Sequence, residues 1–501
     1  MTKLAIIAGV LALTVGAATA HAFCGFYVSG SGSKMSNDAT QVVLMRQGTR
    51  TVLTMQNDYK GPLEDFAMVV PVPVVLQKAD VKTLAKDLFA RVESMGSPRL
   101  VEYWEQDPCP VPIDEGHMYG SLYGASGGSV GFGRGYGTIG IRGSVKVEAK
   151  FSVGEYDILI LSATEAAGLE TWLGENHYKI PDGAEPLLRP YVEAGSKFFV
   201  AKVDPKKVEM VEGRAALSPL RFHYDSEDFS LPIRLGLASS SGKQDLIINI
   251  ISPDTRYEVA NYKNVFIPTN VDVAASVKAR FSEFYAALFD KTLAANPRAV
   301  VTEYAWTVTR AQKCDPCPDL QMTDADVAQL GADVLKESMP SYVMTRLHAR
   351  YGAKDMKDDL RFKVAKPVGG GRELYGSKGI EYGAVDSKEN FFQARYSVRH
   401  WWTGAIKCEN PTRRVWGGPP NGGSSRTIAA NKLAFAPRGK LQLASVIKRD
   451  LWEIGFKRAK PAPATKPAKQ GPVTPAKAIG VGSLGLLFVA LGLRRRENRR
   501  A

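Results

Sequence analysis

The hydrophobic pattern of this chain first resolves into a β-hairpin. Runs 41–46 (QVVLMR) and 51–56 (TVLTMQ) are β-type apolar stretches that meet at Gln47-Gly48, a turn junction. A third run, 66–70, leads into Pro71. Asp80 is then placed to cap a helix on which Val81, Leu84, Ala85, Leu88, Phe89 and Val92 recur at helical spacing. Ser97-Pro98-Arg99 ends that helix, and Val101-Glu102-Tyr103 carries the chain to Asp107-Pro108-Cys109-Pro110.

The same order returns further on. Runs 231–237 and 245–251 predict a second hairpin around Gly242, and Val265-Phe266-Ile267 meets Pro268. Val277, Phe281, Phe284, Leu288 and Thr292 predict a second helix, which stops at Asn296-Pro297-Arg298. Glu303-Tyr304 and Asp315-Pro316-Cys317-Pro318 follow. The ordered return of Pro-Arg, Glu-Tyr and Asp-Pro-Cys-Pro predicts a duplicated hairpin–strand–helix unit. The expected fold is therefore α+β, in two lobes spanning 23–225 and 226–456. Some 434 residues are also too many for a single core.

Both ends of the chain carry a different pattern. Lys3, the apolar stretch 4–15 and Ala20-His21-Ala22 predict a signal peptide over 1–22, cleaved to leave Phe23-Cys24. At the other end, 457–477 is a Pro/Ala/Lys stalk, and 478–493 has no charge in sixteen residues. Residues 494–501 then hold Arg494, Arg495, Arg496, Arg499 and Arg500. Together these predict a single transmembrane helix with a basic cytoplasmic tail and a periplasmic body anchored to the inner membrane. Sixteen helical residues reach about 24 Å, short of a hydrocarbon core of about 30 Å. Gly480, Gly482, Gly485 and Gly492 weaken the helix further. The tail is thus also similar to the C-terminal sorting tails of bacterial surface proteins, which would place the body on the cell surface.

Charge narrows the partners. The net charge is +14, but eleven basic residues and one acidic residue lie from Lys457 onward, and Lys3 leaves with the signal. The body 23–456 keeps only about +3, which argues against nucleic acid. The membrane through the C-terminal helix, an envelope protein or a cell-wall polymer are the expected partners.

Five cysteines are exported: Cys24, Cys109, Cys314, Cys317 and Cys408. An oxidising compartment makes structural disulfides the default, and five leaves one thiol over. Spacing leaves the connectivity open; Cys24 and Cys408, near the ends of the body, are read as local clamps. Cys314-Asp315-Pro316-Cys317 has the spacing of a redox-active dithiol, but the capping box at Thr323 and Asp326 starts the next helix too late to activate Cys314. Zinc would need more ligands, and the nearest candidate, His348, stands alone. No metal site and no cofactor are expected.

The Gly-rich loop 120–143 generates chance matches. Gly124-Ala125-Ser126-Gly127-Gly128 lacks the strand and helix of a nucleophile elbow, and Gly135-Tyr136-Gly137-Thr138-Ile139-Gly140 lacks those of a dinucleotide site. The loop's aromatics Tyr119, Tyr123, Phe132 and Tyr136 are binding candidates, as are Trp401 and Trp402 beside Arg399 and His400. Asp355, Asp358 and Asp359 read as a solvated face rather than a cation site.

Several segments carry a family likeness: Phe23-Cys24-Gly25-Phe26-Tyr27-Val28, Asn57-Asp58-Tyr59, DFAMVVPVPVVL (65–76), VEYWEQDPCP (101–110), CDPCPDL (314–320), TRLHARYG (345–352), and His400 to Cys408-Glu409-Asn410-Pro411. They resemble the family known as domain of unknown function 2330 over most of 23–456. The resemblance implies export, an envelope location and the cysteine framework, and brings no catalytic residue. The expectation is an exported, membrane-tethered envelope protein with a structural or binding role. A periplasmic thiol–disulfide oxidoreductase using Cys314 and Cys317 is the alternative.

Overall fold

The computed structural model describes residues 26–29, 40–56, 58–59, 66–109, 141–142, 144–176, 178, 184–208, 210–211, 214–237, 243–308, 320–335, 341–352, 355–372, 381–420, 427–429 and 441–458. The elements that position the site are, in chain order, β1 (Thr40–Gln47), β2 (Arg50–Gln56), β3 (Phe66–Val72), β4 (Val81–Thr83), α1 (Leu88–Gly96) and β5 (Arg99–Glu105). Then come β6 (Val145–Val153), β7 (Tyr156–Ala163), α2 (Ala166–Glu175), α3 (Glu185–Glu193), β8 (Lys197–Val203) and β9 (Leu220–Asp225). The second half supplies β10 (Gln244–Pro253), β11 (Val271–Asp272), α4 (Phe281–Ala295), β12 (Val300–Thr307), β13 (Tyr342–Tyr351), β14 (Arg395–His400) and β15 (Trp416–Gly417).

The fold is mixed α+β, mostly strands with few helices. One large sheet runs through β12, β13, β10, β1, β2, β9 and β4, and a second contains β3, β8, β7 and β6. Their facing sides share a core that includes Val42, Leu44, Met68, Ile158, Phe199 and Leu347. Helices α2 and α3 cover the outer face of the second sheet through Leu169, Leu173, Leu188 and Val192. Helix α1 packs on the outer face of the large sheet with Val43, Met45, Val52 and Met344. Helix α4 fills the angle between that sheet and a third one, β11-β14-β5-β15, through Phe284, Leu288, Val301, Ala305, Tyr396 and Val398. Each sheet thus has both faces occupied where it matters, which explains why β1 is buried from Val42 to Met45 without alternation.

The first hairpin forms as its sequence predicts, with Gln47 opposite Arg50 and Gly48 at a left-handed φ of 57°. The second does not. Segment 245–251 lies inside β10, whose neighbours are β1, in parallel, and β13. Of segment 231–237, Leu231 instead ends a two-residue strand, Ser230–Leu231, against Leu360 and Arg361, and Arg234–Leu237 forms a 3₁₀ turn. No duplication is therefore visible as two like units. The helix expected from Asp80 starts later, at Leu88, because Val81–Thr83 pairs with β9 as an edge strand. Its stop at Ser97 and the second helix, α4, are as expected. Strands β1, β2 and β9, from before residue 226, share one sheet with β10, β12 and β13, from after it. No helix among the described residues is long and apolar enough to cross a membrane, and 478–493 lies outside them.

Candidate functional site

Strands β5 and β14 run parallel in register, from Arg99 beside Arg395 to Trp104 beside His400. Their carboxyl ends therefore meet, the position at which parallel strands commonly present ligand sites. After His400 the chain leaves as an irregular, mostly exposed loop over 401–415 and returns as β15, with Trp416 opposite Glu105.

That loop is held at several points. A disulfide joins Cys408 to Cys109, just beyond β5, with the Cα atoms 5.5 Å apart. Cys408 is therefore not a local clamp; the strand pairing brings Cys109 to it across 299 residues of sequence. Thr412 donates its backbone N–H to the Pro108 carbonyl at 2.8 Å, and Gln106 donates to Val415 at 2.8 Å. Beneath the loop, the fully buried Glu105 carboxylate accepts a fork from Arg413 at 2.8 and 2.7 Å. It also accepts the backbone N–H groups of Arg414 at 2.7 Å and Trp402 at 3.0 Å. Hydrogen bonding from Arg413, followed by those two amides, outweighs burial and holds the Glu105 carboxyl at about 2. The contact with Glu105 also helps hold Arg414 at a left-handed φ of 67°, unusual for a side chain of this size.

The sign of the Glu105 shift sets its pH dependence. A carboxyl depressed in the folded state stabilises above its unfolded value of about 4.3 and loses that contribution as pH falls toward about 2. Amide hydrogen exchange of peptide 401–416 should accelerate as pH drops through this interval, once corrected for intrinsic rates. Glu105→Gln should show the accelerated exchange already at pH 7, whereas unchanged protection would mean that the disulfide alone orders the loop.

On the surface the loop presents rings. Trp401 is 51% exposed and meets Trp416 edge to face at 5.0 Å. The Arg399 guanidinium lies 4.6 Å from the Trp416 ring and 5.5 Å from that of Tyr103, while its Nε donates to Asp272 at 2.9 Å. On the other side of the strands, Trp104 stacks on His400 at 4.8 Å. His400 Nε2 lies 3.0 Å from Glu102, and the same Glu102 oxygen takes Lys278 at 2.8 Å. Burial works against the charge of Glu102, and Lys278 and His400 overcome it, so its carboxyl sits below the usual range. Of the two sequence candidates, Trp401 faces solvent and Trp402 is half-buried, its indole crowded against Gly404.

A second charged constellation lies inside the fold, between α1, α4 and the large sheet. A β-bulge at Glu303 inserts an extra residue between Thr302 and Tyr304 opposite β13 and aims the carboxylate inward. There it accepts Arg346 Nε at 2.7 Å and Tyr285 OH at 2.6 Å, and lies 2.8 Å from His348 Nδ1. Arg346 also forks onto Glu93, and His348 Nε2 stands 3.4 Å from Asp245. Phe289 of α4 stacks on the His348 ring at 3.8 Å. Glu303, Arg346 and His348 are almost wholly shielded from solvent, so this set orders the core and offers nothing to a ligand.

The remaining sequence candidates disperse. Asp355 pairs with Lys243 and Asp358 with Arg234, and Asp359 accepts from Tyr191 and the Ile233 amide. Among the described residues no cluster of His, Cys, Asp and Glu is arranged to hold a metal ion. Tyr119, Tyr123, Phe132 and Tyr136, both glycine motifs, and Cys24, Cys314 and Cys317 lie outside the described residues. Sequence reading missed Glu105, Tyr103 and Trp104, whose partners lie about 300 residues away, and Trp416, which no local spacing links to Trp401.

The class defined so far is a strand-rich α+β protein with a disulfide-stapled surface loop. The chain belongs to the bacterial family described as "Uncharacterized protein conserved in bacteria (DUF2330)", whose sequence model matches residues 18–363. The match includes Cys109 and β5 and ends before β14 and the loop. No curated protein and no solved structure matches the chain.

Proposed function

We propose that this is an exported protein of the bacterial envelope that binds an anionic cell-wall polymer on the stapled loop. The observation that carries the reading is the Trp401–Trp416 pair, held by the disulfide and Glu105 on a loop whose exposed charges, Lys407, Glu409, Arg413 and Arg414, are mostly basic. Indole faces suit the apolar faces of sugar rings, and a prearranged pair loses little conformational entropy on binding. The neighbouring cations complement carboxylate or phosphate groups on the polymer. The 1–22 signal pattern and the 478–493 segment support a body held outside the cytoplasm, in the periplasm or on the cell surface.

Co-sedimentation with purified peptidoglycan sacculi tests this. The chain should pellet with sacculi, and the double variant Trp401→Ala/Trp416→Ala should bind at least about tenfold more weakly, with its disulfide intact. Equal sedimentation of the two proteins would remove the loop as the contact surface. Failure of the unaltered chain to pellet would remove the polymer.

A further inference from the structure

The folded body ends in a turn that holds one indole outward. Leu451, Ile454 and Phe456 are buried in the core around α4. Leu451 and Phe456 exchange both backbone hydrogen bonds, at 3.0 and 2.9 Å, and Gly455 takes the left-handed φ of 62° that the tight turn requires. Trp452, between these anchors, is 85% exposed, more than any other large apolar residue described. Its orientation is thus imposed by three buried neighbours rather than left to a loose tail.

The turn around Trp452 carries a basic excess. Lys448, Lys457 and Arg458 are exposed, against an exposed Asp450, which accepts the Arg458 backbone N–H at 2.9 Å, and a half-buried Glu453. From 457 to 477 the sequence has six basic residues and no acidic one, and the uncharged segment 478–493 follows. An indole beside lysine and arginine is a combination found at membrane interfaces. Each such cation near an anionic surface contributes about 1 kcal/mol. A tether of about twenty residues spans at most roughly 60 Å and keeps a bilayer continuously within reach, so a weak contact becomes effectively intramolecular.

We infer that the 451–458 turn seats on a lipid bilayer bearing anionic headgroups, with Trp452 in the interface and Lys448, Lys457 and Arg458 on the phosphates. The inference rests on the membrane-tether reading of 478–493. It gives the body a fixed face toward the membrane in place of free rotation on a stalk.

The test uses the full chain in vesicles of three parts phosphatidylcholine to one part phosphatidylglycerol, with or without acyl-chain bromination. Flotation reports the tether, and bromine quenching reports the indole. Seven tryptophans emit, so Trp452→Phe isolates one of them while the other six serve as the internal reference. Brominated lipid should quench the unaltered chain and leave Trp452→Phe unquenched. Lys448→Glu/Lys457→Glu/Arg458→Glu, or vesicles without phosphatidylglycerol, should lose at least half the quenching while the chain still floats. Flotation with identical quenching in the unaltered chain and Trp452→Phe would overturn the docking alone. Absence of flotation would overturn the tether and the docking with it.

Discussion

Glu303→Gln is expected to lower the stability of the folded chain by about 3–5 kcal/mol, the cost of removing one partner from a buried ion pair. The carboxylate sits where Arg346, His348 and Tyr285 converge, and none of them has water to turn to once it is neutral. Burial alone would raise the Glu303 carboxyl, yet His348 and then Arg346 hold it at about 2. Arg346 is pushed above its ordinary value because Glu93 and Glu303 together exceed its desolvation. Urea midpoints for Glu303→Gln and Glu93→Gln form the comparison. The Glu93 variant should lose less, since its carboxylate is partly exposed and water replaces it. Equal, small losses would show that water reaches the inner cluster.

The same cluster shapes stability against pH. Burial disfavours a charged His348, but the Glu303 and Asp245 carboxylates outweigh it and raise its pKa above 6.5. A group raised in the folded state stabilises fully below its unfolded value and loses that contribution as pH rises through the folded value. Glu303 and Asp245 are both depressed, so their contribution is complete above about 4 and falls away in acid. The urea midpoint should therefore be highest between about pH 4.5 and 6.5 and decline toward alkaline pH. His348→Gln should abolish the alkaline decline, and a flat profile in the unaltered chain would mean that His348 is neutral in the fold.

Cys109→Ser/Cys408→Ser is expected to destabilise by about 2–5 kcal/mol and to free the loop over 401–415. The bridge closes a 299-residue separation, so much of its effect falls on the unfolded chain, whose ends it restrains. In the folded chain it fixes the segment that carries Trp401. Reduced chain and double variant should show the same lowered melting temperature, and both should bind sacculi more weakly than the oxidised chain. Full stability with full binding in the double variant would assign loop order to Glu105 and its three donors.

Much of the local structure was legible from sequence because its causes are local. Gln47-Gly48 turns the first hairpin through the backbone freedom of one glycine, and the apolar spacing of Phe281, Phe284 and Leu288 builds α4 wherever it docks. Ser97-Pro98 ends α1 by steric restriction of the residue before proline. Conversely, 231–237 has the apolar content of a strand and becomes the end of a short strand and a 3₁₀ turn, because the edge beside β10 is already taken by β1 and β13.

The first hairpin, the cores of α1 and α4 and the likeness to the family are thus written locally, each in signals spanning a few residues to a few tens. That Cys408 joins Cys109 and that Glu105 underpins the loop became visible only in three dimensions. The tertiary structure also turned His348 from a lone candidate ligand into the centre of a buried ionic cluster. The reason is common to all of these. Strand neighbours and a single bulge are set by packing between segments about 50 to 300 residues apart, and no spacing along the chain records that choice.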